Sequence, residues 1–280
     1  MHRFYIAPEQ WNPDALILDG AEAHHARDVL RLKPGDRVVV FNGRGHEVTA
    51  EVVDLGRGEI RLRKLHESRT PPLRCRITLA QAIPKGKNMD LIVQKAVEIG
   101  AAEIAPLISE RTIVDLDPDA ARQKQSKWQQ IAIEAAKQCG QNWLPQVQTP
   151  RKLKDFFTEF DSVAAVYPSR RSSAKADDRR SETASKGVGA LTAPLQQLRL
   201  IGSLQPDARH LKDILAEHAT ATASPARTAF MLIGPEGDFT PAELALAKSH
   251  GCLPITLGPI ILRVETAAIY CLSILSYELL

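Results

Sequence analysis

From residue 75 onward, short apolar β-type runs alternate with helical segments, and this alternation restricts the fold more than any other feature of the chain. Strand-like runs fall at 75–83, 103–108, 162–167, 198–201, 228–233 and 253–257. Helical spacing of apolar residues fills 89–99, 118–139, 152–160 and 207–217. Gly100 and Gly140 follow the first two helices, at the position where a left-handed residue closes a helix. Thr240-Pro241-Ala242-Glu243 is a capping box with proline at the first helical position, so another helix begins there. Strands joined by helices pair in parallel, and a parallel sheet is covered on both faces. The fold class is therefore α/β.

The first 72 residues follow a different rule. Runs rich in Val, Ile and Leu at 36–41, 46–54 and 59–66 are separated by Asn42-Gly43-Arg44-Gly45 and Gly56-Arg57-Gly58, both turn signals. This predicts a small β-barrel or sandwich. Before it, 21–32 has helical character and carries His24, His25, Arg27 and Arg31, then turns at Lys33-Pro34-Gly35-Asp36. Adjacent histidines do not share a helix face, so the pair does not signal a metal. The basic side chains suit either phosphate contact or a solvated face. Thr70-Pro71-Pro72-Leu73 reads as the linker between a unit at 1–72 and a larger one at 73–280.

Charge adds little at the level of the whole chain. The 280 residues carry a formal net charge of +3, and residues 168–190 alone hold six cations against three acids. That segment, about 168–194, is rich in Ser, Ala, Arg and Lys and poor in large apolar residues, so it is expected to be a mobile insertion within the larger unit. Cys75, Cys139, Cys252 and Cys271 stand far apart, which signals neither a zinc site nor a disulfide framework. No run of about 18 apolar residues is present to span a bilayer, and the opening lacks the apolar stretch of a signal peptide. The expectation is a cytoplasmic protein without metal or membrane partner. Neither G-x-x-x-x-G-K-[ST] nor G-x-G-x-x-G occurs, which disfavours a P-loop or a typical dinucleotide site.

Chemistry concentrates in the last fifty residues. Gly234-Pro235-Glu236-Gly237 and Leu257-Gly258-Pro259 each follow an apolar strand-like run, and glycine lets a ligand approach the backbone. The second turn leads through Ile260, Ile261 and Leu262 to Arg263-Val264-Glu265-Thr266, which sets a cation, a carboxylate and a hydroxyl at the start of an apolar helix over 264–280. Loops at strand ends of an α/β domain are where ligands usually sit.

Taken with Lys87-Asn88-Met89-Asp90, the run from Gln94 through Gly100, Ser109-Glu110-Arg111, and Trp128 followed by Glu134-Ala135 and Gln138, these motifs resemble the RsmE family of 16S ribosomal RNA uracil-N3 methyltransferases. The N-terminal Arg3-Phe4-Tyr5-Ile6 and Val29-Leu30-Arg31 are similar to its opening. The resemblance covers the whole chain in the right order. It implies a PUA-like β-barrel for RNA followed by a SPOUT domain with a trefoil knot, a homodimer, and S-adenosylmethionine as cofactor. Carried over residue by residue, the cofactor loops comprise Ile201, Gly202 and Ser203; Ile233, Gly234, Pro235 and Gly237; and Leu257, Gly258, Pro259, Ile261, Leu262 and Thr266. Arg263, Glu265 and Glu236 are the catalytic candidates. Arg27, Arg31, Lys33, Lys95, Ser109, Arg111 and Gln138 are the RNA-binding candidates. Ile260, Asp238, Gln141 and Trp143 depart from the family pattern, the first and last two replacing usual arginines and the second a glycine. Two other readings are weighed against this one: a knotted methyltransferase acting on a ribose 2′-oxygen, and a non-catalytic RNA-binding assembly factor. Retention of Arg263, Glu265 and both glycine turns disfavours the assembly factor.

Overall fold

The computed structural model describes residues 1–112, 116–166, 197–221 and 226–280. The expected insertion at 168–194 lies outside the described residues.

The N-terminal sheet contains β1 (His2–Tyr5), β2 (Leu16–Asp19), β3 (Arg37–Phe41), β4 (His46–Leu55) and β5 (Glu59–Arg69), in the order β1-β3-β4-β5-β2. β4 alternates as period two requires: Val48, Ala50 and Val52 point into the core while their neighbours face outward. Register shifts at Thr49/Ala50 and Val52/Asp54 let the long β4–β5 hairpin curl around that core. Phe4, Leu18, Val38, Val40 and Ile60 fill it. At four residues each, β1 and β2 are too short for periodicity to reveal, unlike β3, β4 and β5.

The helix expected over 21–32 is shorter and less regular. α1 (Gly20–His24) passes into one π-helical turn over His25–Val29, and Arg31 then takes a left-handed backbone conformation with φ 54°. The chain must swing at once into the turn at Lys33, whose N–H donates to Asp36 Oδ2 at 2.7 Å. A regular helix to residue 32 would overrun that turn.

The second sheet follows the order β11-β13-β10-β12-β6-β7-β8, with β9 also beside β7, and every pairing is parallel. Its elements are β6 (Arg76–Ala82), α2 (Asn88–Ile99), β7 (Glu103–Ile108), α3 (Pro118–Cys139), β8 (Gln146–Val147), β9 (Arg151–Lys152), α4 (Leu153–Val166), β10 (Gln197–Gly202), β11 (Arg209–His210), α5 (Leu211–Ala221), β12 (Thr228–Ile233), α6 (Pro241–Ser249), β13 (Leu253–Thr256) and α7 (Val264–Leu279). β12 shows why both faces are covered. Ala229, Met231 and Ile233 join the core beneath α2, α3, α5 and α7, whereas Phe230 and Leu232 join the one beneath α4 and α6.

Two expected elements differ. The strand expected at 162–167 is, through Val166, the continuation of α4; no glycine or proline lies between Phe160 and Val166, and Ala164-Ala165 favours helix. The helix expected over 207–217 begins only at Leu211, because Arg209 and His210 first pair with Ile255 and Thr256 as an edge strand.

The two sheets are joined by more than the Thr70-Pro71-Pro72-Leu73 segment. Asn142 O accepts from Gly45 N at 2.9 Å, Leu144 N donates to Gly43 O at 3.0 Å, and Trp143 Nε1 donates to Thr70 O at 2.9 Å. At Gly45, with φ 86°, a Cβ would lie 2.6 Å from Thr70 O and 2.8 Å from the Trp143 ring, so only glycine fits. Trp143, one of the departures from the family pattern, thus packs the hairpin turn of the small sheet onto the large domain. Lys137, nearly buried, bridges to Glu22 at 3.0 Å; burial still holds the Glu22 carboxyl above its ordinary range despite that lysine.

Candidate active site

Strand order brings the site together. β13 follows β12 in the chain yet pairs with β10, so the loops leaving β10, β12 and β13 converge at their carboxyl ends. They enclose a cavity of about 720 Å³ with the start of α7 as its fourth wall. Gly202, Ser203, Ile233, Gly234, Pro235, Leu257, Gly258, Pro259, Ile261 and Leu262 line it, together with Arg263, Glu265 and Glu236. Three expected lining residues lie elsewhere. Ile201 is buried in the core under α4 and α6, Gly237 turns its carbonyl toward the Arg111 guanidinium, and Thr266 is exposed on α7 away from the cavity wall.

Hydrogen bonds fix the loops to one another. Ser203 N donates to Ile255 O at 3.0 Å, and Asp238 Oδ2 accepts from Leu204 N at 3.2 Å while its Oδ1 accepts from Phe239 N at 2.7 Å. Asp238 has φ 61°, a region glycine enters freely and Asp tolerates better than most residues. This accounts for the departure from glycine: the same backbone shape is kept, and the carboxylate clips the β10 loop to the β12 loop. At Gly234 an added Cβ would sit 3.2 Å from both Asp238 Oδ1 and Phe239 N. A side chain here would press on both atoms and force them to give way.

The two carboxylates hold the β6–α2 loop. Glu236 Oε1 accepts from Lys85 N at 2.8 Å, and Glu265 Oε2 accepts from Asn88 Nδ2 at 3.3 Å. Arg263 caps α7 with its side chain exposed, and it makes no ion pair or side-chain hydrogen bond among the described residues. Cys271 also faces the cavity, but burial pushes its thiol up to about 12, so it stays protonated and is no nucleophile at neutral pH.

A second buried network reaches the site from behind. Glu243, the last residue of the capping box, accepts from Thr240 N at 2.9 Å, Ser109 Oγ at 3.2 Å and Glu110 N at 3.0 Å. Ser109 is therefore buried structure, an RNA-binding candidate that the fold uses to dock the β7 loop on α6. From that loop the Arg111 side chain reaches Gly237 O. Among the other RNA-binding candidates, Arg27 is engaged by Asp28 and the carbonyls of Gly56 and Arg57, and Lys95 pairs with Glu98 at 2.7 Å. Arg31 and Lys33 are exposed without an acidic side-chain partner among the described residues, and Gln138 lines a separate groove between α2 and α3 with Gln94 and Lys127. Asn88, Leu204, Gln205 and Ala208 line the cavity but were not read as site residues. Only Asn88 had a signal, its place in the Lys87-Asn88-Met89-Asp90 motif.

This geometry has counterparts. Residues 71–194 and 188–276 match the family model of an RNA methyltransferase domain, and 18–65 match that of an RNA methyltransferase PUA domain. The ribosomal RNA small subunit methyltransferase E of Synechocystis is 31% identical, over 97% of this chain and 76% of its own. The chain belongs to the ribosomal RNA small subunit methyltransferase E family. A second family member, from Bacillus subtilis, is 26% identical over 93% of this chain and 89% of its own. Among solved structures, a methyltransferase from Legionella pneumophila in complex with S-adenosylmethionine is 30% identical, with TM-score 0.75 over 98% of this chain and 96% of that one. The family enzyme of Neisseria gonorrhoeae, bound to S-adenosylmethionine, is 28% identical with TM-score 0.75 over 99% and 97%. The α/β SPOUT fold with a preceding PUA-like sheet is thus that of the family.

Proposed function

We propose that this enzyme transfers a methyl group from S-adenosylmethionine to N3 of a specific uridine in 16S ribosomal RNA. The observation that carries the reading is Arg263, without an ion pair or side-chain hydrogen bond among the described residues, at a cavity walled by three loops, each with a glycine lining it, in a chain of this family. The cavity suits the cofactor. Gly202 and Gly234 let backbone amides and carbonyls approach an adenine edge, while Ile233, Leu257 and Leu262 offer apolar walls. When bound, S-adenosylmethionine supplies an electrophilic methyl group on a sulfonium.

The rest falls to the protein. Removing the N3 proton of uracil spreads negative charge onto the flanking carbonyl oxygens, and the Arg263 guanidinium offers charge-assisted hydrogen bonds to that charge. Glu236 and Glu265 each have one carboxylate oxygen engaged by the β6–α2 loop and the other without a hydrogen-bond partner among the described residues, so either can accept the proton. Neither pairs with Arg263 among the described residues, which argues against their serving to orient it. Residues 1–72, with Arg31 and Lys33 exposed, would form the RNA-binding unit attached to the methyltransferase domain at 73–280.

The site would be completed by a second copy of the chain. α7 buries Val264, Ala268, Cys271, Leu272, Leu275 and Leu279 within its own subunit, but Tyr270 and Tyr277 remain 47% and 87% exposed on one face with Thr266 and Ser273. Two exposed tyrosines on one helix suit an interface. Light scattering at micromolar concentration should give twice the 30.8 kDa chain mass; a single-chain mass would reject the dimer. For the activity itself, incubating the protein with labelled S-adenosylmethionine and unmodified small ribosomal subunits should place label on uridine N3. Label on a ribose oxygen, or none, would contradict the proposal.

A further inference from the structure

After β6 the chain runs through Pro84-Lys85-Gly86-Lys87 to Asn88, the first residue of α2, which lines the cavity. Its placement is set at both ends by the carboxylates of the site, through Lys85 N to Glu236 and Asn88 Nδ2 to Glu265. These bonds use the loop's backbone N–H and an amide, so they leave both lysine ammonium groups unneutralised. Lys85 and Lys87 are exposed and have no acidic side-chain partner among the described residues. Gly86 between them has φ 69° and open space where a Cβ would be, so a ligand meets no side chain at the loop's tip. Two cations therefore stand on a segment that two cavity-lining carboxylates hold in place, beside a cavity that Arg263 also lines.

We propose that Lys85 and Lys87 bind backbone phosphates of the RNA strand next to the nucleotide being methylated, holding that strand across the cavity mouth. Lysine acts on phosphate as a point charge and reads no sequence, so this contact positions the strand and leaves base choice to the cavity. Two flexible side chains flanking an unhindered glycine suit a polyanion that passes over the loop. The proposal rests on the reading of the chain as an RNA methyltransferase.

The test uses the full chain with Lys85→Ala and Lys87→Ala combined, unmodified small ribosomal subunits as the probe, and salt varied from about 50 to about 200 mM. Two phosphate contacts to a single strand contribute about 1.4 to the salt slope, so the parent should lose roughly sevenfold more affinity than the double variant across that range. At the lower salt the double variant should bind more weakly, and arginine at both positions should restore most of the loss. S-adenosylmethionine affinity, measured by calorimetry, should stay within about twofold, since neither lysine lines the cavity. Equal subunit affinity and equal slope for parent and variant would overturn the proposal. So would a selective loss of S-adenosylmethionine affinity, which would assign the lysines to the cofactor's carboxylate. If the parent binds subunits but transfers no methyl group, the functional reading fails separately, and the salt slope still decides the phosphate contact.

Discussion

Arg263→Ala is expected to lower the single-turnover rate of methyl transfer by two or more orders of magnitude, equivalent to about 2.7 kcal/mol or more of transition-state stabilisation. S-adenosylmethionine affinity should stay within a few-fold, because the guanidinium is proposed to act on charge that develops only as the uracil N3 proton leaves. The structure makes this a clean substitution. Arg263 holds the first position before α7 through its backbone, and Ala267 N donates to its carbonyl at 2.8 Å; its exposed side chain contributes nothing to either core. Arg263→Lys should recover only part of the rate, since the planar fork of donors is lost while the charge remains. Rapid-quench measurement with labelled cofactor and unmodified subunits checks both. A variant that methylates at close to the parent rate would make Arg263 structural.

Gly234→Val should abolish cofactor binding, with affinity falling on the order of a hundredfold or more, about 2.7 kcal/mol. A Cβ at this position is already 3.2 Å from Asp238 Oδ1 and Phe239 N, and two further methyl groups must displace Asp238 or enter the cavity. Displacing Asp238 also breaks its bond to Leu204 N and so separates the loops after β10 and β12. Either way the cradle is lost. Calorimetric titration of the folded variant with S-adenosylmethionine is the check, and unchanged affinity would remove the three-loop assignment.

Much of this was legible because local signals and tertiary structure agree. Gly100 and Gly140 end α2 and α3 in left-handed conformations, and the Thr240 and Glu243 pair forms both bonds of its capping box. The glycine turns lie where parallel strands end, so their convergence follows from the α/β pattern. What could not be read depends on partners distant in sequence. Glu243 looked like a helix cap, yet its carboxylate also holds Ser109 from 134 residues away and thereby converts an RNA-binding candidate into buried structure. Asp238 and Trp143 depart from the family pattern; one clips the loops after β10 and β12 together and the other docks the small sheet. Short polar elements failed for a simpler reason: Arg209 and His210 gain strand geometry from β13, not from their own propensity.

The central claim is that this enzyme methylates uridine N3 in small-subunit ribosomal RNA. Its most direct measurement is mass spectrometry of nuclease-digested 16S ribosomal RNA from matched cells with the gene intact, deleted, or replaced by the Arg263→Ala form. N3-methyluridine should be present at one position with the gene intact and absent after deletion, and strongly reduced with the Arg263→Ala form. An unchanged N3-methyluridine level after deletion, or loss of a ribose methyl group instead, would contradict it.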